Sequence, residues 1–381
     1  MTLRRSFHVL LSGIAIVFMA VVVPGTTGCR GFFTPACTTN CGGGTYSSYA
    51  YVANASIGTI EGFPIPTAAF TSLTGATTTL GATPSAIAAT PKGTFLYVAT
   101  FQGSVVVYSI GTNGALTLGN SGAPVASTLI TPVSMAVDSS GSWLFVVCNQ
   151  SAQLLIFQIN SSTGALTQSA QGTVALSTGS PTQVYFTPNN QYVYIGLGTG
   201  GTDGFVFNSS TGAVSGQVHL APRPGSGAAD NAIAADNNSA YLFVGETVSG
   251  LRVLTIGTGG ALTEVTGSPF ATQLGPKSIV VDPTNTYVYV ANSNANVISG
   301  YTLETGGTLT PLSSSPFNTG SAPYAMSLDS TGKYLFVISN GGSPDLQVFS
   351  FDTTTGGKLD SVVSTATGTD PAGAVSLSVV P

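Results

Sequence analysis

Charge is scarce in this chain of 381 residues. Asp, Glu, Lys and Arg make up 6% of it, and nine basic residues stand against fourteen acidic ones, a net charge of −5. A phosphate backbone is gripped by a basic stripe that this composition does not supply, so nucleic acid is excluded as a partner. Histidine is rarer still, with His8 near the N-terminus and His219 the only other. That leaves His219 as the sole candidate base of a hydrolytic triad, and no G-x-S-x-G segment presents a nucleophile to it. The four cysteines (Cys29, Cys37, Cys41 and Cys148) show no Cys/His spacing of a metal site, and no loop alternates acids as a calcium loop does. No metal and no cofactor are expected. Beyond the first 28 residues, no stretch carries the 3.6-residue apolar period of a helix.

Low charge alone would fit a disordered chain, but 43% of the residues are hydrophobic and many are β-branched. Such a chain buries a large core and folds. The beginning reads differently. Arg4 and Arg5 precede the apolar run of residues 8–23, followed by Pro24-Gly-Thr-Thr-Gly-Cys29. Charge, apolar run and small residues before a cut make an export signal over residues 1–28. A small residue before cysteine resembles the bacterial lipoprotein box, although Thr26 stands where Leu is usual. Lipidation of Cys29 is the first expectation, with simple secretion or an uncleaved anchor as alternatives. Residues 29–48 form a Gly/Thr-rich tether, in which Cys37 and Cys41 are either a small disulfide or free thiols.

The rest of the chain repeats itself. Near-copies of Tyr241-Leu-Phe-Val244 start at Tyr49, Phe95, Trp143, Tyr192, Tyr287 and Tyr334, so the seven starts are 46, 48, 49, 49, 46 and 47 residues apart. A period of this length built from strand formers and turn residues marks a β-propeller. Around Trp143 the unit reads as four short strands. They run from Pro132, over 143–147, over 153–159 and from Leu166, with turns Asp138-Ser-Ser-Gly141 and Asn160-Ser-Ser-Thr-Gly164. The aspartates at 138, 236, 282 and 329 recur at one turn position and read as turn formers. Cys148, ending a repeat strand, reads as a buried apolar residue. The last repeat stops after its inner strand and the first begins at its second strand. The expected fold is therefore all-β: a seven-bladed propeller over residues 49–381, four antiparallel strands per blade, closed by N- and C-terminal strands in one shared blade.

Tyr51-Val-Ala-Asn54, Tyr289-Val-Ala-Asn292, the turn Asp282-Pro-Thr-Asn285 and hairpins such as Thr163–Thr167 resemble the lactonase-like seven-bladed propellers. That superfamily includes propeller-type 6-phosphogluconolactonases and YVTN surface repeats. The resemblance implies a Pro-Arg-His before one inner strand, a Glu after the next strand of that blade, and a Pro-His opening the neighbouring blade. Here the Glu matches Glu246, the Pro-Arg-His reads Ala229-Asp230-Asn231, and the Pro-His reads Pro181-Thr182.

Charged residues gather in one stretch. His219, Arg223 and Asp230 lie on the long connection into the strand at Ala232, Glu246 follows the next strand, and Lys277 opens the following blade. On one face of a propeller these five would line one side of the channel mouth. As a catalytic set, Glu246 or His219 would activate water and Arg223 or Lys277 would stabilise the oxyanion, with Asp230, Asn231 and Lys277 contacting ligand. The opposing reading is that they are solvated loop charges. Gly196-Leu-Gly-Thr-Gly-Gly201 matches a dinucleotide fingerprint, but a strand rather than a helix N-terminus follows it, so it is a loop. Two functions remain: a non-catalytic scaffold at the cell envelope, binding an envelope protein, a glycan or a small sugar acid, and a lactone hydrolase. A monomer is expected.

Overall fold

The computed structural model describes residues 48–381 apart from 66–71, 74, 127, 128, 130, 225, 226, 249, 342, 343 and 365–372. The export signal, Cys29 and the Cys37/Cys41 pair lie outside the described residues.

Seven antiparallel sheets follow one another. Blades 1 to 6 cover residues 84–118, 132–175, 183–220, 230–264, 276–318 and 323–364. Blade 7 is split as the repeat count predicts: Ala374–Val380 is its innermost strand, followed by Ser48–Asn54, Thr59–Ile65 and Thr78–Thr79. Tyr49 pairs with Val380 and Tyr51 with Ser378, so the ring closes through backbone hydrogen bonds between the two ends of the domain. Blade 5 departs from four strands. After Pro311 the chain doubles back, and Phe317–Asn318 pairs with the start of Val297–Leu303.

The recurring Tyr-x-Phe/Tyr-x segment is the second strand of each blade, buried on both faces. Its third residue explains the repeat. Tyr51, Tyr97, Tyr194 and Tyr289 donate their phenol hydroxyls to the carbonyls of Gly114, Gly164, Gly260 and Gly357, in the outer hairpin of the following blade. Burial raises all four phenols far above the ordinary tyrosine range. Blade 2 has Phe145 at that position, and there the indole of Trp143 reaches Ser209 O instead (2.8 Å). One apolar cluster between blades 2 and 3 packs Trp143, Phe145 and Ile156 against Val193, Phe205 and Phe207.

The turn aspartates act as the sequence predicts. Asp138 Oδ1 accepts the backbone N–H groups of Ser142 and Trp143, both at 2.8 Å, and Asp236, Asp282 and Asp329 repeat the bond five residues on. Cys148 is fully buried. Residues 197–201 are a loop between Tyr192–Gly196 and Thr202–Asn208, with no helix to receive a pyrophosphate.

Candidate functional site

Innermost strands begin, and second strands end, on one face of the ring, called upper here. There residues near the start of all seven innermost strands surround a central cavity of about 200 Å³. Ser85, Ser134, Gln183, Asn231, Ser278 and Ser376 contribute polar groups to it. Several of these also tie the ring together: Ser134 Oγ accepts Val184 N, Gln183 Oε1 accepts Ile233 N, Ser278 Oγ accepts Met326 N and Ser376 Oγ accepts Ile87 N. Lys277 brings the cavity's positive charge. Its Nζ lies 4.7 Å from the centre of the Tyr324 ring, a cation–π contact, and it forms no ion pair among the described residues.

Two of the expected site residues therefore meet in the channel, Asn231 and Lys277, beside Thr182. Thr182 donates to Asp230 O (3.0 Å) and Asn231 Nδ2 donates to Thr247 Oγ1 (2.8 Å).

The other expected residues lie elsewhere. Asp230 and Glu246 sit opposite each other in the strand register, and both have no exposed surface. Glu246 Oε1 is 3.2 Å from Arg252 Nη1, and Arg223 Nε approaches Oε2 to 3.9 Å. Arg223 also pairs with Glu264 and donates to Ser268 O (3.1 Å). Arg252 Nε lies 3.5 Å from Glu264, and Ser268 Oγ donates to the same carboxylate (2.8 Å). Burial pushes the Glu264 carboxyl up, but the hydrogen bonds from Arg223 and Ser268, aided by Arg252, outweigh it and hold Glu264 below the usual carboxylate range. Glu246, Arg252 and Glu264 form a run of alternating charge crossing blade 4 from its second strand to its outer one, with Arg223 covering it from the connection out of blade 3.

Among the described residues, Asp230 forms no ion pair, and its carboxylate takes its hydrogen bond from a hydroxyl. Thr202 donates to Oδ2 (2.6 Å), while Oδ1 is buried without a hydrogen-bond partner. Burial pushes the carboxyl up to about 6, and the neighbouring Glu246 charge adds to this against Thr202, Arg252 and His219. His219 turns to another acid: its Nδ1 lies 2.8 Å from Asp203 Oδ1, and Asp203 is itself buried and held by Ser177 N and Gln217 Nε2. The mouth predicted to gather His219, Arg223, Asp230, Glu246 and Lys277 is thus divided into three places. The register aims Asp230 and Glu246 into the sheet, and Asp203 draws His219 away.

Arg252, Glu264 and Asp203 were not anticipated. Arg252 does carry a signal, being a lone charge in the apolar strand Gly250–Ile256. Buried charge of this kind requires a buried counter-charge.

The description "Lactonase, 7-bladed beta-propeller" matches residues 21–184 and 177–376. The chain belongs to this lactonase propeller family. A comparison with curated proteins finds no match. Among solved structures, a candidate 6-phosphogluconolactonase from Bacteroides uniformis is similar at a TM-score of 0.70 and 18% identity, covering 87% of this chain and 99% of that one. The periplasmic gluconolactonase of Pseudomonas aeruginosa is similar at a TM-score of 0.68 and 16% identity, over 88% and 99% of the two chains. At these identities the likeness extends to the fold.

Proposed function

We propose that this family member is a non-catalytic binding propeller, exported and held at the cell envelope by a lipid on Cys29, whose channel mouth takes a hydroxyl-rich acidic ligand such as a small sugar acid. One observation carries the reading. Glu246, the carboxylate matching the enzymes' position, is fully buried between arginines, while the described residues lining the channel offer Lys277, amides and hydroxyls. Opening a lactone needs a group to activate water and another to stabilise the oxyanion, each worth about a hundredfold or more. An ammonium beside amides and hydroxyls suits recognition of a carboxylate on a polyol. The names of the structural neighbours favour the second reading, a lactonase in which Arg223 and His219 swing toward the mouth.

Acid release by the purified protein decides between them. No turnover of 6-phosphogluconolactone or gluconolactone above the spontaneous rate is expected, while gluconate binds saturably and Lys277→Gln weakens it about tenfold. Hydrolysis that disappears in Glu246→Gln overturns the reading. Export is tested separately: Cys29→Ser abolishes fatty-acid labelling and releases the protein from membranes, and an unlabelled wild-type chain refutes the anchor.

A further inference from the structure

The lower face of the ring carries the turns between first and second strands, and neighbouring turns are joined in most places. Between blades 2 and 3, Ser139 N donates to Asn190 Oδ1 and Asn190 Nδ2 to Asp138 Oδ2 (3.2 and 3.0 Å). Asn189 N donates to Ser239 Oγ between blades 3 and 4 (3.0 Å), and Asn237 N to Asn285 Oδ1 between blades 4 and 5 (2.8 Å). Ser330 meets Ser48 between blades 6 and 7 (2.8 Å), and Gly93 packs against Val380 and Pro381 between blades 7 and 1. The joining side chain usually comes from the fourth turn position: Asn190, Ser239 or Asn285.

Between blades 1 and 2 both partners fail. The fourth position is Gly141, which has no side chain, and it faces Pro91, which has no N–H. Gly332 and Pro283 repeat that combination between blades 5 and 6, but there the glycine lies close against the proline ring. A Cβ on Gly332 would fall 2.2 Å from Pro283, against 3.4 Å for Gly141 and Pro91. The seam between blades 1 and 2 remains a cleft of about 180 Å³.

Its lining divides by chemistry. Phe95 and Ile159 form a buried apolar floor beside Pro91. Lys92 stands at the rim and forms no ion pair among the described residues, and the hydroxyls of Ser139 and Ser161 make no hydrogen bond among them. The Asp138 carboxylate is engaged by Ser140, Ser142, Trp143 and Asn190. The volume equals about six waters, below the range of drug-sized pockets, so the occupant is a fragment with a short apolar body. We infer that this lower-face cleft is a second binding site, independent of the channel, for a small organic carboxylate whose apolar body rests on Phe95 and Ile159 and whose charge meets Lys92. Hydroxyls at the rim complete the carboxylate's hydrogen bonds.

Benzoate and its neutral counterpart benzamide test this on the purified protein by amide-resolved NMR titration. Benzoate is expected to shift Phe95, Ser139, Gly141 and Ile159 saturably, with benzamide about tenfold weaker, as loss of one charge-assisted hydrogen bond implies. Lys92→Gln brings benzoate down to the benzamide level. Gly141→Asn copies the residue of the next seam, where Asn190 holds the same positive φ, and is expected to fill the cleft and abolish both. Resonances away from the seam report whether each variant is folded. Absence of saturable shifts in the wild type overturns the proposal. So do equal affinity for benzoate and benzamide, benzoate binding that survives Gly141→Asn in a folded protein, and shifts confined to the channel around Lys277.

Discussion

Glu246 in blade 4 and Asn292 in blade 5 occupy one structural position, the buried last residue of the second strand. Their surroundings correspond as well. Arg252 lies opposite Val244 and Ser299 opposite Val290, so Arg252 and Ser299 share a register; Asp230 faces Glu246 where Pro276 faces Asn292. Blade 5 satisfies the position with neutral bonds: Asn292 Nδ2 donates to Val290 O and Ser299 Oγ, and Thr272 donates to Asn292 Oδ1. Blade 4 fills the same space with a carboxylate, a guanidinium and a second carboxylate. The fold thus requires a polar group here but no charge. A buried ion pair is often no better than a neutral replacement of both partners, whereas removing one partner alone strands a charge.

The largest effect follows from that asymmetry. Arg252→Met should destabilise the protein by about 3–5 kcal/mol in urea denaturation, because Glu246 keeps its charge in a closed sheet. Grafting blade 5 with Glu246→Asn and Arg252→Ser together should recover most of the loss. If the single variant costs under about 1 kcal/mol, water reaches the position and the comparison breaks.

Asp230 sharpens it through pH. Its carboxyl titrates at about 6 in the folded protein and near 3.8 unfolded. Below pH 3.8 both states hold the proton, and the folded state has its full share of stability. As pH rises through 3.8 to 6, only the unfolded state releases the proton, and the protein loses about 3 kcal/mol (2.2 pH units at about 1.36 kcal/mol each). The stability of Asp230→Asn relative to wild type should therefore grow by about 2.4 kcal/mol between pH 4 and pH 7, since about 0.6 kcal/mol of the loss has already occurred at pH 4. A flat difference would mean that Arg252 already neutralises both acids.

On the lower face the advantage lies with blade 5. Tyr289 donates to Gly357 O (2.8 Å), while Phe243 in blade 4 has no hydroxyl to give. Tyr289→Phe should cost about 1 kcal/mol by denaturation, the usual net worth of one buried hydrogen bond. A larger loss would show that the tyrosines set the spacing of the blades as well as bonding them.

The repeat made the ring, its closure and the turn aspartates readable in the sequence, because each blade is a local pattern copied seven times. The site was less readable for a geometric reason. Successive strand residues face opposite ways, so proximity on one rim does not tell which charges enter the channel. Asn231 and Asp230 are adjacent in sequence, yet one lines the cavity and the other is closed off in the sheet. Arg252 and Glu264 joined Glu246 only once the register of three strands was known.

Arg223 should give the smallest effect. It touches Glu246 and Glu264, as Arg252 does, but it reaches them from a connection and, like Glu264, keeps 29% of its side chain exposed. Exposed ion pairs are worth about 0–1 kcal/mol and fade with salt. Arg223→Ala should therefore cost under about 1 kcal/mol at low salt and close to nothing in 1 M salt, where the Debye length is about 3 Å. Arg252→Met should keep its cost in both. If the Arg223 loss instead exceeds about 2 kcal/mol and persists in salt, the guanidinium belongs to the buried compensation of Glu246, and blade 4 depends on a neighbouring connection in a way that blade 5 does not.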